Sequence, residues 1–200
     1  MSELGVFVTL GFRHIVDLEA LDHILFLVAL AAIYRVRDWR DALWVVSAFT
    51  VGHSVTLAFA VTGALVLSPR LVEFLIPLTI VATCAENLVV REQRRTGWRG
   101  GYRPVFAAVF GLVHGAGFAS YLRSLFVDRI ALPLFGFNVG IELGQVVVLV
   151  LGAVALAALD RLLALAATRR GASVLRWRVI AVSAAVALIA ARWAVERSPF

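Results

Sequence analysis

Long apolar stretches, separated by short arginine-rich segments, dominate this chain. A helix needs about 20 mostly apolar residues to cross a bilayer, and six stretches are long enough, or nearly so, to be predicted as spans. They are residues 21–35, 42–66, 71–90, 104–122, 132–159 and 175–195. A polar, amphipathic segment at 5–20 precedes the first span and could form a seventh helix, interfacial or re-entrant. The pattern therefore predicts an all-α fold, a polytopic membrane helix bundle that forms a single integral-membrane domain over residues 1–200.

The composition supports a membrane protein and argues against nucleic-acid binding. Hydrophobic residues make up 62% of the chain and charged residues 16%, whereas soluble domains are about half apolar. The net charge of +6 comes from nineteen arginines and no lysine. Thirteen of these arginines fall in the segments after the first, third and fifth spans, and six fall on the other side. The positive-inside rule then places both termini outside, and the arginine-rich loops could dock a cytoplasmic partner.

Small polar clusters stand at or near the middle of five spans, and they contain all four histidines. In chain order they are His14 with His23, then His53, then Glu86 with Asn87, then His114, and last Asn138 with Glu142 and Gln145. An ionisable side chain at the centre of a membrane helix costs at least about 2.5–3.5 kcal/mol, so such residues usually face a partner, a cavity or an ion. Five spans that contribute ligand-type residues indicate one shared site for a metal ion or for protons.

The fifth span separates a polar face from a glycine face. At 100° per residue, Asn138, Glu142 and Gln145 fall within about 60° of one another. A small-xxx-small stripe lies roughly opposite them, formed by Gly136, Gly140 and Gly144, and such a stripe lets another helix approach closely. Gly111 and Gly115 flank His114 with the same spacing and could also leave space for a ligand or a water. The fifth helix is therefore predicted to be central in the bundle.

Imidazole and carboxylate together suit divalent first-row metals, of which Ni²⁺ and Zn²⁺ are the leading candidates. The candidate ligands are Asp22, His23, His53, His114, Glu142, Glu86, Asn138, His14 and Glu19. With the termini outside, Asp22 and His23 are predicted near the outer surface, His53 and His114 deeper, and Glu86 towards the cytoplasm. This order favours a layered site or a path over one tight cage. Each residue taken singly could instead have a structural role. A lone histidine often only forms a hydrogen bond between two helices, and Glu86 could pair with Arg91.

Five segments of the chain resemble the HupE/UreJ family of integral membrane proteins, in particular its second subfamily. They are HIVDLEALDHILFL at 14–27, FTVGHSVTLAFA at 49–60, CAENL at 84–88, FGLVHGAGFAS at 110–120 and FNVGIELGQ at 137–145. The resemblance implies a small bundle of six or seven helices in the bacterial inner (plasma) membrane. It also implies a hydrogenase or urease accessory protein, or a nickel permease. By the same resemblance, the family's polar positions fall on His14, Asp22, His23, His53, Glu86, His114, Asn138 and Glu142.

One spacing departs from the family pattern. The family has a glycine between its first histidine and its Asp-His pair, but here Leu18, Glu19 and Ala20 occupy that place. His14 therefore lies two residues further from Asp22, which on a continuous helix rotates it by about 200°. On that helix Glu19 and His23 are i, i+4 neighbours, so Glu19 is the candidate to replace His14.

Three functions compete at this stage. The first is a divalent-metal permease, with ions captured at Asp22 and His23 and passed inward. The second is a membrane-embedded metal-dependent hydrolase, in which a bound Zn²⁺ would activate a water, although the sequence has no HExxH motif. The third is a non-transporting accessory subunit. Transport is favoured over catalysis because the histidines are distributed one or two to a span.

Overall fold

Seven α-helices and no β-strand make up the part of the chain that the computed structural model describes, residues 2–18, 21–65, 67–89, 101–125, 130–166 and 173–200. The helices are α1 (Glu3–Val16), α2 (Leu21–Ala31), α3 (Trp39–Val61), α4 (Pro69–Val89), α5 (Tyr102–Leu125), α6 (Ala131–Ala166) and α7 (Val174–Glu196). A short 3₁₀ segment, Val36–Asp38, leads into α3. The predicted all-α membrane bundle is confirmed.

Four stretches are long and apolar enough to cross a membrane, judged by length and composition in the described residues. They are Val36–Val61, Pro69–Val89, Ala131–Leu165 and Val174–Glu196. The predicted first span is shorter, because α2 has only 11 residues. Six of the thirteen predicted loop arginines, including Arg91, fall in 90–100 and 167–172, which lie outside the described residues, as does Glu19.

The N-terminal segment forms a helix that packs along α6. Ser2 begins α1 by accepting a hydrogen bond from the Gly5 amide at 3.3 Å. The glycine stripe of α6 faces α1: Gly136 lies against Leu4, Gly140 against Val8, and Gly144 against Ile15. Residue numbers increase in the same direction on both helices along this contact, so α1 runs parallel to α6. The predicted close-packing role of the stripe is confirmed, and its partner is α1.

A second close pair joins α3 and α5. Gly111 meets the backbone of Phe49, and Gly115 meets the backbone carbonyl of His53. The space that glycines 111 and 115 could have left for a ligand is therefore filled by the α3 backbone. Because these glycines have no side chains, α5, which contains His114, can approach α3, which contains His53, very closely.

The third pair of helices is α4 with α7. Both contact α2, which the remaining helices also surround. Asn87 of α4 donates to Ser183 of α7 at 3.3 Å and to the Ala29 carbonyl of α2 at 2.7 Å. Phe26 and Leu30 of α2 are fully buried or nearly so. The short α2 therefore occupies the interior of the bundle, beside the four histidines.

Candidate metal centre

All four histidines meet at one place inside the bundle. His14 is in the last turn of α1 and His23 in the first turn of α2, and their ring centroids are 4.5 Å apart. His53 of α3 lies 6.0 Å from His14 and 6.2 Å from His23. His114 of α5 lies 5.3 Å from His23. The predicted separation in depth between His23 and His53 is wrong, because the two rings are neighbours.

The interruption between α1 and α2 creates this cluster. On a continuous helix, residues nine positions apart are separated by about 13 Å along the axis, too far for His14 and His23 to meet. Instead α1 ends at Val16, Asp17 turns to an extended conformation, and a new helix begins at Leu21. The interpretation that rotated His14 away from His23 assumed an unbroken helix and is wrong for that reason.

Three of the histidines present ligand atoms to one another. One ring nitrogen from each of His14, His23 and His53 lies within 4.8 Å of the other two. The Nε2 atoms of His14 and His23 and both ring nitrogens of His53 are buried and have no hydrogen-bond partner in the described part of the chain. A buried polar atom without a partner is costly, and a bound cation would satisfy all three rings together.

Two polar neighbours, Asp22 and Thr79, fix the orientation of the rings of His23 and His114. Asp22 Oδ1 accepts hydrogen bonds from the His23 backbone amide at 2.9 Å and lies 3.1 Å from His23 Nδ1. This leaves Nε2 of His23 directed at the cluster. Thr79 Oγ1 lies 2.9 Å from Nε2 of His114, and the remaining Nδ1 is buried without a partner. Such outer-shell contacts are typical of metal-binding histidines.

Phenylalanine rings enclose the histidines on several sides. Measured between ring centroids, Phe118 lies 4.1 Å from His14 in a tilted arrangement, Phe26 lies 5.0 Å from His114, and Phe49 lies 5.1 Å from His114. Phe137 lies 5.6 Å from His14 and 6.5 Å from His53. Sequence reasoning missed these residues, although helical spacing signals two of them: Phe49 precedes His53 by four residues and Phe118 follows His114 by four. These rings surround the histidines with apolar side chains on the sides they cover.

A protein-family model decides the family of this chain. The model described as "HupE / UreJ protein" matches residues 1–197. The chain belongs to the HupE/UreJ family. No curated protein and no solved structure matches it. The family is associated with nickel or metal transport or with an accessory role.

The donor set of this HupE/UreJ protein fits a divalent transition metal. Neutral imidazole nitrogens suit Ni²⁺, Zn²⁺ and Cu²⁺, whereas Mg²⁺ and Ca²⁺ prefer oxygen ligands. The set of mutually close ligand atoms consists of His14, His23 and His53, and the Asp22 carboxylate is directed at His23. The cluster can therefore hold an ion through three rings, and His114 lies beside it with its ring 5.3 Å from that of His23.

The polar face of α6 contacts α3 beside the cluster. Ser54 donates to Asn138 at 2.7 Å, Thr50 donates to Gln145 at 2.8 Å, and Ser47 donates to Glu142 at 3.3 Å. We call these six residues the α3–α6 column. Asn138 and Glu142 thus lie outside the histidine cluster, on a polar contact that extends from His53 towards the start of α3.

Glu86 lies at the arginine-rich end of the HupE/UreJ bundle, in a different polar cluster. Arg103 Nη2 approaches Glu86 Oε2 at 3.0 Å and Asn87 Oδ1 at 2.9 Å. The Tyr102 hydroxyl donates to the other Glu86 oxygen. Arg103 was predicted as a loop residue but is only 2% exposed. Its burial has a physical reason, because the Glu86 carboxylate forms an ion pair with it and the Asn87 carbonyl accepts its hydrogen bond.

Replacing Arg103 with alanine is expected to destabilise the bundle strongly. Removing one partner of a buried ion pair leaves an uncompensated charge and costs about 3–5 kcal/mol. Thermal unfolding in detergent should show a clearly lowered midpoint for Arg103→Ala. Arg192→Ala is the control, because the Arg192–Glu196 pair is exposed, and it should leave the midpoint unchanged. Equal midpoints for the two variants would contradict the structural role of Arg103.

Proposed function

We propose that this HupE/UreJ protein binds a divalent transition-metal ion, Ni²⁺ as the leading candidate, at His14, His23 and His53 and carries it across a bacterial inner membrane. One observation carries the proposal: three imidazoles, each with a buried nitrogen that has no partner in the described part of the chain, converge inside a membrane helix bundle. A purely structural histidine normally has its hydrogen bonds satisfied. Both nitrogens of His53 lack partners among the described residues, at zero exposure of the side chain.

The cluster lies closer to the face that carries the C-terminus. Arg197, which directly follows α7, places its Nη1 atom 3.9 Å from Asp22 Oδ2, and the Asp22 side chain is 16% exposed. In our proposal, an ion reaches the cluster past Asp22, whose carboxylate attracts cations. The count of arginines in the sequence supports placing this face outside the cell.

Two polar connections leave the cluster towards the arginine-rich face, and their charges differ. One runs from His114 through Thr79 along α4 and ends at buried Arg103. Because Arg103 neutralises the Glu86 carboxylate in their ion pair, this connection ends without the net negative charge that would attract a divalent cation. The other is the α3–α6 column, which contains the half-buried Glu142 carboxylate and extends about 9 Å along α3 from His53 to Ser47. We propose that the ion leaves along the α3–α6 column.

Metal uptake into proteoliposomes tests transport as distinct from binding. Purified wild-type protein is expected to raise Ni²⁺ uptake above protein-free vesicles, and His23→Ala/His53→Ala is expected to reduce it to background. Thr62→Val is the control, since Thr62 is exposed and its hydroxyl donates to Ala58 and Phe59 on its own helix. Wild-type protein that binds Ni²⁺ tightly without uptake would contradict the permease and favour an accessory role. Uptake that persists in the double variant would contradict the site.

A further inference from the structure

An apolar groove of about 780 Å³ runs along α6, between the end of α2 and the starts of α3 and α7. Its volume falls within the range of roughly 300–1,000 Å³ that is typical of small-molecule sites. Most of its lining is aliphatic, and Val150 and Val154 on its wall are 58% and 66% exposed on the outside of the bundle. The groove therefore faces the lipid, and it lies apart from the histidine cluster.

The groove has an apolar end and a polar end. At the apolar end it is lined by Val146 and Leu43, and at the polar end by Arg35, Asp160 and Arg178. The lining of α6 from 146 to 160 covers about 21 Å along the helix. One leaflet of a bilayer, including its headgroup region, is about 20–22 Å thick. The groove thus matches one leaflet in length, with its charged residues at the depth of the headgroups.

The charged end is anchored and carries net positive charge. Arg178 is 3% exposed and donates to Asp160 at 2.7 Å and to the carbonyls of Ala32 and Tyr34 at 3.1 and 2.7 Å. This network holds the end of the groove in place. Two arginines and one aspartate line it, which leaves one positive charge. Near a membrane surface, arginine side chains attract the headgroups of anionic lipids.

We propose that this groove binds a glycerophospholipid from the leaflet on the arginine-rich side. One acyl chain lies between α3 and α6, and the phosphate lies against Arg35 at the polar end. The apolar wall recognises the chain and the net positive charge recognises the phosphate. The chain would end about one helical turn from Ser47 and Glu142, since Leu43 and Val146 are each four residues from them. The proposal does not depend on metal transport.

Native mass spectrometry of the detergent-purified protein with added dioleoylphosphatidylglycerol tests this site. Ala153→Trp and Ala157→Trp place a large ring in the groove and are expected to lower the occupancy of bound lipid about tenfold. Ala155→Trp and Ala158→Trp are matched controls on the same helix, because both alanines are exposed and neither lines the groove. The controls should bind lipid as the wild type does.

The headgroup is tested with dioleoylglycerol, which has the same chains without the phosphate. Wild-type protein should prefer the phospholipid by about tenfold, and Arg35→Gln should remove most of that preference. Equal lipid occupancy in the groove variants and their controls overturns the proposal, and so does equal binding of the two lipids by the wild type. A dimer that only the groove variants lose, with lipid unchanged, assigns the groove to a second copy instead.

Should the tryptophan variants fail to fold, photo-crosslinking of wild-type protein decides the question. A phosphatidylglycerol with a diazirine in its acyl chain should label peptides that contain residues 39–43 and 146–157. Labelling confined to other helices overturns the proposal.

Discussion

Replacing His53 with alanine is expected to weaken divalent-metal binding by at least 100-fold. His53 supplies one of three ligand atoms, and it is completely buried on α3, with its ring about equally far from the rings of His14 and His23. Loss of an outer-shell partner alone costs about 10–100-fold in metal affinity, so loss of a direct ligand should cost at least the upper end of that range. Isothermal titration of purified protein with Ni²⁺ and Zn²⁺ measures the change.

Ser54→Ala is the matched control for this substitution. Ser54 is adjacent to His53 in sequence and bonds to Asn138 and to the Thr50 carbonyl, but it contributes no ring nitrogen to the cluster. It should retain metal affinity within a few-fold of the wild type. If His53→Ala folds and binds metal as tightly as Ser54→Ala, the cluster is not the metal site.

The second large effect is expected from Gly140→Leu on α6. A Cβ atom at Gly140 would overlap the backbone carbonyl of Val8 on α1, and a backbone group cannot rotate away as a side chain can. Ordinary overpacking costs about 1–3 kcal/mol, and this contact should exceed that range by forcing α1 away from α6. Because His14 is carried by α1, metal affinity should fall at least tenfold together with the unfolding midpoint.

Gly152→Leu is the matched control, since a Cβ at Gly152 meets nothing within 4 Å. It lies on the same helix and introduces the same side chain. It should change neither the unfolding midpoint nor the metal affinity. A Gly140→Leu protein that unfolds at the wild-type temperature and binds metal normally would contradict the parallel packing of α1 on α6.

Sequence patterns predicted the helices and the faces of α6 well, because both depend on local periodicity. The Gly140 face contacts α1 and the Asn138 face contacts α3, as the angular separation of the two stripes indicated. A helix that packs against partners on two sides shows two stripes of matching residues, each with helical periodicity, in its own sequence.

The convergence of the histidines could not be predicted in the same way. Leu18, Glu19 and Ala20 are good helix formers, so propensity favours a continuous helix through the point where α1 ends. Tertiary packing decides otherwise, since α1 lies along α6 while α2 enters the bundle interior. Arg103 and Arg178 were predicted in loops for a related reason. Their carboxylate partners, Glu86 and Asp160, each lie on the preceding helix, and helical periodicity within one segment does not show such a contact.

Metal binding by the clustered histidines is tested most directly by X-ray absorption spectroscopy of the purified protein loaded with one equivalent of Zn²⁺. We expect at least three imidazole nitrogens at about 2.0–2.1 Å from the ion, and one fewer in His53→Ala. A spectrum with oxygen ligands only, or one that His53→Ala leaves unchanged, would contradict metal binding by these histidines.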